Sequence, residues 1–393
     1  MIEVKSSTGV RDYQLDDIAV QSFIAKERGV PLASVSIAHI NNSFIYPGGG
    51  DYEGLFETVD LTEETICRHE EVREWVSSAH EIASQADEPS VETGAHCGSP
   101  FACPYSGYCN RDKTFPDYPL GSLPRLHANR RSAIEAAGVE DLREAPDELL
   151  NAIQQRVKEC SASGIPYFDA EGAASELAGY GFPAYFLDFE TISIAVPRWE
   201  GTRPYQQLPF QFSLHVVQSD GSMEHSGFLD LTGNDPSQPC AAELIRLSGG
   251  KGPVFAYNAG FEAGVIRRLA QRFPEHAAGL LAITDRIVDL LPIARRHYYH
   301  PSQHGSWSLK AVLPALCPDL SYDTLDGVKD GMMAQTAYLE AIDTTTNSAR
   351  KVQVEQQLHE YCKLDTFAMV RMWEVFRGAG SNEIPTTVEG KTV

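Results

Sequence analysis

The expected architecture follows from AYFLDFE, residues 184–190. This stretch is apolar and aromatic apart from its two acids, as is typical of a strand buried in a sheet. From residue 181 to about residue 377, strand patterns alternate with helix patterns, which predicts an α/β domain. Further strands are predicted at 209–217, 223–229 and 254–258, and helices at 240–247, 262–273, 284–297, 309–316, 332–342 and 351–376.

The rest of the chain divides into three segments with different patterns. Residues 1–119 mix strand and helix patterns and predict a first α/β domain. Residues 120–180 carry short helical patterns broken by turns and predict a helical connector. Residues 378–393 are small and polar and predict a flexible tail.

Charge and composition exclude several classes of protein. The 393 residues include 32 basic and 54 acidic side chains, for a net charge of −22, and 42% of them are hydrophobic. No apolar run approaches the ~18 residues of a membrane span, so we expect no membrane association and a cytoplasmic location. The acidity argues against a protein that coats nucleic acid by bulk charge. It allows an enzyme that binds a few phosphates through metal ions or a small basic patch.

Asp188 and Glu190 are two residues apart on the predicted strand, so their side chains point to the same face. Two neighbouring carboxylates on an apolar strand repel each other and are costly to desolvate, and a cation normally offsets that cost. A third carboxylate, Glu262, lies at a strand-to-helix junction. On the last helix, Tyr361 and Asp365 are four residues apart and share one face.

The acids Asp188, Glu190, Glu262 and Asp365, called the four acids below, predict a metal centre. Together they carry a charge of about −4, which two Mg²⁺ or Mn²⁺ ions would neutralise through the hard oxygen ligands that they prefer. Paired ions ~3.5–4 Å apart suit in-line displacement at phosphate, since one activates water and the other stabilises the leaving oxygen. Taken singly, each acid is also compatible with an ordinary surface side chain.

The order of these residues resembles the DnaQ-like 3′→5′ exonucleases of the DEDD type. The three motifs of that family match, in chain order, Asp188 and Glu190, then Asn258, Phe261 and Glu262, and finally Tyr361 and Asp365. The second motif usually has aspartate where this chain has Glu262. The resemblance implies an RNase H-like (DnaQ-type) fold, a mixed, five-stranded sheet flanked by helices with the acids at one end.

The same resemblance implies roles for the site residues. The four acids would be catalytic metal ligands, and Tyr361 marks the subclass whose tyrosine contacts the attacking water. A free tyrosine titrates near ~10, so at neutral pH Tyr361 is expected to orient water instead of deprotonating it. Asp289 resembles a further acid that these enzymes carry before the final helices, and it is expected to support the site without binding metal.

Cations and aromatic rings alternate in RRHYYH, residues 295–300, and in WSLK, residues 307–310. Phosphate contacts and base stacking use such side chains, so Arg295 and Arg296, with Asn258, are predicted to contact a nucleic-acid substrate. The alternative is a polar loop over a core. Both interpretations also hold for three arginines of the preceding segment, Arg125, Arg130 and Arg131.

Near the start of the chain, Glu3 and Lys5 form an E-x-K pattern at a predicted strand end, and Gln21 lies on the following helix. These residues resemble the core of the RecB-like PD-(D/E)XK nucleases, in which the glutamate binds metal and the lysine stabilises charge at the scissile phosphate. The metal-binding aspartate that this family carries further upstream is absent, because two residues precede Glu3. The resemblance implies a partial PD-(D/E)XK domain with a remnant motif.

Cys97, Cys103 and Cys109 resemble the cysteine trio that completes a four-iron cluster in some RecB-like members. With Cys67, His96 or an exogenous ligand as the fourth, they predict an incomplete iron–sulfur cluster or a Zn²⁺ site. A metal-free, reduced trio is the alternative. The chain as a whole resembles a bacterial family catalogued as domain of unknown function 2779, which joins a RecB-type domain to a DnaQ-like exonuclease, and we interpret it as an N-terminally shortened member.

The sequence therefore predicts a metal-dependent 3′→5′ exonuclease that hydrolyses DNA or RNA from a 3′ end, with a single strand as its partner. The alternative is a non-catalytic nucleic-acid-binding or scaffold protein with degenerate nuclease domains. An endonuclease in the first domain is disfavoured by the missing aspartate. No oligomeric state is predicted.

Overall fold

The computed structural model describes residues 1–378, and of the predicted flexible tail, 378–393, all but Gly378 lies outside the described residues. The chain forms two compact units. The first unit consists of Met1–Phe115 together with Ser193–Gln206, and the second of Pro116–Ile192 together with the chain from Gln207 onward.

The first unit is built on a small mixed sheet. Its strands and helices are β1 (Ile2–Lys5), α1 (Asp12–Glu27), β2 (Ser36–Ile40), β3 (Phe56–Asp60), α2 (Thr62–Cys67), α3 (His69–Ala83) and α4 (Ser106–Cys109). The strand order is β1-β2-β3, with β1 parallel and β3 antiparallel to β2. Ile18 of α1 is fully buried against Ile37 of β2, so the helix packs on one face of this sheet.

The second unit contains the larger sheet and most of the helices. Its strands and helices are α5 (Ala128–Ala136), α6 (Ala152–Ser163), β4 (Tyr167–Phe168), α7 (Ala170–Leu177), β5 (Ala184–Ile192), β6 (Leu208–Val217), β7 (Met223–Leu229), α8 (Ser237–Ser248), β8 (Val254–Ala256), α9 (Gly260–Arg272), α10 (Ala277–Thr284), β9 (Ile287–Asp289), α11 (Leu290–His297), β10 (Tyr298–Tyr299), α12 (Leu309–Leu316), α13 (Gly331–Ile342) and α14 (Ser348–Phe376).

The large sheet has the strand order β7-β6-β5-β8-β9. Strand β6 is antiparallel to both of its neighbours, β7 and β5, whereas β5, β8 and β9 are parallel to one another. The expected mixed, five-stranded sheet of an α/β domain is therefore confirmed. Strands β4 and β10 form a separate two-stranded pair.

Alternate residues of β5 belong to two different cores, one on each face of the sheet. On one face, the ring of Phe186 lies 5.4 Å from that of Trp373 in α14. On the other, Leu187 and Phe189 pack with helix residues such as Leu244 of α8. Because strand side chains alternate, Asp188 and Glu190 share the face of Phe186 and point towards the layer that contains α14.

Residues 120–180, predicted to be a helical connector, contain α5, α6 and α7 and contribute to the core around Phe186. The fully buried residues that this segment adds to that core include Ile134, Leu142, Val157 and Leu177. The segment therefore belongs to the second unit and forms part of its hydrophobic core.

One predicted element was wrong. The helix expected at 284–297 is divided into the end of α10, the strand β9 and the helix α11. β9 extends the sheet by pairing with β8, and Asp289 at its end caps α11 by accepting a hydrogen bond from the Leu291 amide. The prediction was wrong because β9 has three residues, too few for the alternating pattern of a strand to be visible within a long apolar stretch.

Within residues 1–378, no helix is both long and apolar enough to cross a membrane.

Candidate metal centre

Asp188 and Glu190 lie in the second half of the central strand, β5. β8 is paired with β5 only along Tyr185 and Phe186, so on that side β5 continues without a neighbour past Asp188. On its other side, β5 remains paired with β6, with an irregularity in register between Glu190 and Thr191. The two acids therefore lie on the part of β5 that β8 leaves unpaired, and both are close to Asp365, as described next, so they share one face of the sheet.

Asp365 reaches the same place from α14. One carboxylate oxygen from each of Asp188, Glu190 and Asp365 lies within 4.8 Å of the other two. In the part of the chain that the structure describes, this is the one group of three or more histidine, cysteine or acidic side chains with such close ligand atoms. We call it the carboxylate triad.

Polar contacts hold α14 on the sheet beside the carboxylate triad. Gln211 of β6 donates through Nε2 to the Leu358 carbonyl oxygen at 2.9 Å. Ser213 of β6 and Thr366 of α14 share a hydroxyl–hydroxyl hydrogen bond of 2.7 Å. Because Thr366 follows Asp365 in the chain, these bonds fix the position from which the third carboxylate approaches β5.

In the carboxylate triad, Glu190 and Asp365 are buried and Asp188 is half-buried, and their negative charges repel one another. Burial, followed by the charges of Asp365 and Glu190, raises the pKa of Asp188 well above its usual range. Burial and the Asp365 charge raise the pKa of Glu190 to about 8, and burial raises that of Asp365 to about 6. The cause is the one expected for like charges held together in a low-dielectric site, and a bound cation would reverse it.

Glu262 lies in the first turn of α9, outside the carboxylate triad but close enough for its charge to raise the pKa of Asp188. Its side chain is buried, with 2% of its surface exposed, and its Oε2 has no hydrogen-bond partner among the described residues. Burial raises its own pKa to about 8. An unpartnered buried carboxylate oxygen beside three others fits a site that binds a hard cation.

Two tyrosines contact Asp365. The Tyr322 hydroxyl donates to Asp365 Oδ1 at 2.5 Å. Hydrogen bonds from Tyr322 and Tyr361 both lower the pKa of Asp365, against the effect of its burial. Burial and nearby carboxylates raise the pKa of both phenols, so at neutral pH each is protonated and acts as a hydrogen-bond donor.

Lys310 of α12 brings a positive charge to the carboxylate triad. Its Nζ lies 5.2 Å from the ring centroid of Tyr322 and 5.3 Å from that of Tyr361. It also donates to the Lys329 carbonyl oxygen at 2.6 Å. Its charge lowers the pKa of Glu190 and of Asp365, although burial still dominates the net shift of both.

Asn258 lies in the turn between β8 and α9, with a left-handed backbone (φ 66°). Its backbone amide donates to Asp289 Oδ1 at 3.0 Å, and the same oxygen accepts from the Leu291 amide at 3.0 Å. Asp289 thus ties the turn that precedes Glu262 to the start of α11. This contact gives Asp289 a supporting position in the fold around the four acids.

The two arginines predicted to contact substrate have different surroundings. Arg295 is half-buried, with its guanidinium carbon 5.9 Å from the ring of Trp307. Arg296 is exposed and forms a two-pronged ion pair with Glu176 of α7, including Nε to Oε1 at 2.7 Å. Arg296 therefore already has an anionic partner within the fold.

The remnant motif of the first unit forms a connected polar network. Lys5 Nζ donates to Glu3 Oε1 at 3.0 Å and to Asp17 Oδ2 at 2.5 Å. Gln21 Nε2 donates to Asp17 Oδ1 at 3.1 Å. The structure thus brings Glu3, Lys5 and Gln21 together, with Asp17 of α1 as the residue that joins them.

Cys97, Cys103 and Cys109 follow one another around a loop and the short helix α4. The Cys103 amide donates to the Cys97 carbonyl oxygen at 2.8 Å, and Cys109 ends α4. Cys109 is exposed, and the other two are half-buried. Within residues 1–378, the sulfur atoms of these three do not form a ligand group of the closeness seen in the carboxylate triad.

Sequence reasoning did not assign three residues that the structure places in these networks: Lys310, Tyr322 and Asp17. Lys310 belongs to the WSLK stretch, whose cation and aromatic ring were a visible signal. Asp17 is four residues before Gln21, a spacing that puts both side chains on one helix face. Tyr322 has no signal in the sequence, because a turn between helices brings it to Asp365.

Comparison with known proteins agrees with part of the expected resemblance. The family model described as "Domain of unknown function (DUF2779)" matches residues 185–308. The matched residues include Asp188, Glu190 and Glu262, whereas Tyr361 and Asp365 lie beyond them. The resemblance to that family is confirmed over this range. No curated protein and no solved structure matches the chain.

Proposed function

We propose that this protein is a metal-dependent nuclease that hydrolyses phosphodiester bonds of DNA or RNA from a 3′ end. The observation that supports the proposal most directly is the carboxylate triad, in which the half-buried Asp188 and the buried Glu190 and Asp365 present oxygens within 4.8 Å of one another. A bound cation would relieve the repulsion between such carboxylates, and clustered acids with raised pKa values are common at catalytic sites.

The donor set fits Mg²⁺ or Mn²⁺, because every candidate ligand is a carboxylate oxygen. Asp188, Glu190 and Asp365 would hold the metal, and Glu262, with its unpartnered Oε2, is the fourth ligand that we propose. When bound, two such ions supply activation of water and neutralisation of the leaving oxygen. An RNase H-like (DnaQ-type) arrangement of the second unit is part of this proposal, as is the full architecture of a RecB-type domain joined to an exonuclease.

The chain's own residues would position the reacting groups. Tyr361, protonated at neutral pH, would donate to or orient the attacking water. Tyr322 would hold Asp365 in one orientation through its hydrogen bond. Lys310 would keep a positive charge beside Glu190 and the scissile phosphate.

For the first unit, we propose a partial PD-(D/E)XK domain. Glu3, Lys5 and Gln21 are its remnant motif, with Asp17 hydrogen-bonded to Lys5 and Gln21. Its cysteines, Cys97, Cys103 and Cys109, are proposed ligands of an iron–sulfur cluster or Zn²⁺. Cleavage of closed circular DNA that is lost in Lys5→Ala would assign an endonuclease activity to this unit.

The proposal is tested with 5′-labelled single-stranded DNA and RNA oligonucleotides, in Mg²⁺, Mn²⁺ or EDTA. We expect shortening from the 3′ end that requires the metal, stops at a 3′-terminal phosphorothioate and is unaffected by a 5′-terminal one. Asp188→Asn should reduce the rate by at least ~10³-fold, since it removes a charge that holds the metal. Asp285→Asn, which removes an exposed aspartate outside the carboxylate triad, should leave it unchanged.

Equal rates in Asp188→Asn and in the unmodified protein would contradict the proposed centre. Tight binding of single strands without cleavage in any metal would favour a non-catalytic nucleic-acid-binding or scaffold role.

A further inference from the structure

A cavity of about 540 Å³ lies in the second unit, outside the carboxylate triad. Residues from three parts of the chain line it, among them Pro124, Arg125, Ile153, Arg295 and Trp307. Its volume falls within the ~300–1,000 Å³ of ligand pockets in proteins. The lining combines apolar side chains with two arginines, and a nucleotide likewise combines an apolar base with a phosphate.

The two arginines of the cavity have no acidic partner. Within residues 1–378, no carboxylate lies at ion-pair distance from Arg125 or Arg295. By contrast, Arg296, next to Arg295 in the chain, is paired with Glu176. Two unpaired guanidinium groups in one cavity favour an anionic ligand, for which phosphate is the best geometric match.

Close backbone contacts fix the cavity walls. Gly305 has a left-handed backbone (φ 77°), and a Cβ there would lie 1.6 Å from the Ser122 carbonyl oxygen. Gln154 donates through Nε2 to the Pro124 carbonyl oxygen at 2.9 Å. Trp307 donates through Nε1 to the Tyr298 carbonyl oxygen at 2.8 Å. The segments that carry Arg125 and Trp307 are therefore held in place before any ligand binds.

The cavity is connected to the candidate metal centre through residues 307–310. Trp307 lines the cavity, and its carbonyl oxygen accepts a hydrogen bond of 2.6 Å from the Tyr257 hydroxyl, in the turn before α9. Lys310, three residues later, is the cation beside Glu190 and Asp365. A strand bound at the metal centre could thus extend along this segment to the cavity.

We propose that the cavity binds one nucleotide of a nucleic-acid strand. Arg125 and Arg295 bind its phosphate, and Pro124, Ile153 and Trp307 form the apolar wall for its base. That the ligand is a nucleic-acid strand rests on the proposed function, whereas the inference that the ligand carries a phosphate rests on the two unpaired arginines. The inference assigns the helical segment 120–180 a part in substrate binding.

The test measures binding by isothermal titration calorimetry in EDTA, so that the carboxylate triad holds no metal. The probes are thymidine, thymidine 5′-monophosphate and a short oligothymidylate. We expect the oligothymidylate to bind most tightly and thymidine least. Removing each guanidinium should weaken binding of the monophosphate about tenfold, as for a charge-assisted hydrogen bond, so Arg125→Gln/Arg295→Gln should lose about 100-fold.

Arg28→Gln is the matched control, because Arg28 is exposed, lacks an ion pair in the described chain and does not line the cavity. It should bind like the unmodified protein. Arg125→Gln alone, at an exposed position, tests the cavity even if the double variant fails to fold.

Unchanged binding in Arg125→Gln, equal affinity for thymidine and its monophosphate, or tighter binding of the monophosphate than of the oligothymidylate would overturn the inference. Asp188→Asn separates it from the proposed function, since this variant should retain binding in EDTA and lose cleavage. If the unmodified protein does not cleave but the probes bind as expected, the cavity proposal stands and the proposed function fails. If it cleaves but the probes do not differ in binding, the proposed function stands and the cavity proposal fails.

Discussion

Asp188 is the residue whose environment says most about the site. It is surrounded by Asp365, Glu190 and Glu262, and burial together with these charges raises its pKa. In the absence of a cation, the folded protein must either protonate such acids or accept their repulsion, and both lower the free energy of unfolding at neutral pH. The site is therefore built at a cost in stability that metal binding offsets.

Asp188→Asn should raise the thermal midpoint of the metal-free protein by about 2 °C or more, because it removes one repelling charge. Mn²⁺ should raise the midpoint of the unmodified protein, and this increase should be lost in the variant. Differential scanning fluorimetry in EDTA and in Mn²⁺ measures both effects. A variant that is destabilised in EDTA, while Asp285→Asn is not, would contradict the electrostatic explanation.

Tyr322→Phe should weaken Mn²⁺ binding about tenfold, because it removes the hydroxyl that holds Asp365 and lowers its pKa. Mn²⁺ titration followed by electron paramagnetic resonance measures the affinity. Tyr361→Phe is the comparison, and it should reduce cleavage more than Mn²⁺ binding if its hydroxyl orients water. Identical behaviour of the two variants would show that they share one role.

Among the elements, β5 and α14 were the easiest to predict and carry three of the four acids. The apolar run of β5 and its two acids indicated both the strand and the shared face. The helix expected at 351–376 extends over Ser348–Phe376, because its apolar period is sustained over its whole length. The strand β9 was missed, since three residues acquire strand geometry only by pairing with β8.

Two neighbouring histidines, His215 of β6 and His225 of β7, lie beside α14 on the side of Ser213 and Thr366. The rings of His215 and His225 lie 4.6 Å apart, and His215 Nδ1 is 2.8 Å from the Thr366 hydroxyl. Burial lowers the pKa of His215, and burial followed by the Lys363 and His359 charges lowers that of His225 to about 4. Both rings are thus neutral in the folded protein.

The pKa values of these histidines are lower in the folded than in the unfolded state, so between pH ~6.5 and 4 the unfolded chain binds protons that the folded protein does not. The stability that the neutral histidines provide is therefore complete above pH ~6.5 and is lost as the pH falls towards 4. We expect the urea midpoint to decrease over this interval and to decrease less in His225→Gln. Urea titrations of both proteins at several pH values measure the difference. Parallel pH dependence in the two proteins would contradict this assignment.

For the whole molecule, the two candidate metal sites lie in different units and have different chemistry. The carboxylate triad of the second unit offers hard oxygen ligands, whereas the cysteines of the first offer sulfur. A net charge of −22 makes local cations decisive for binding a polyanion, since the protein as a whole repels it. Metal ions and unpaired arginines are therefore the features through which we expect nucleic acid to bind.

Mn²⁺ stoichiometry separates the two sites. Glu190→Gln should reduce the amount of bound Mn²⁺, whereas Cys97→Ser/Cys103→Ser/Cys109→Ser should not, because Mn²⁺ prefers oxygen ligands. Equilibrium dialysis with elemental analysis measures both variants, and the same analysis of anaerobically purified protein reports iron and zinc at the cysteines. Loss of Mn²⁺ in the cysteine variant would contradict the assignment to the carboxylate triad.

Local pattern was sufficient for the alternation of strands and helices, for the common face of Asp188 and Glu190, and for the pairing of Tyr361 with Asp365 on one helix. Each depends on side-chain periodicity within a single element, which the residues themselves specify. Packing between distant elements was needed for the approach of Tyr322 and Lys310 to Asp365, for the strand β9, and for the cavity that Arg125 shares with Arg295. These contacts join residues far apart in the chain, and their geometry depends on how the helices pack on the sheet, which no short stretch of sequence specifies.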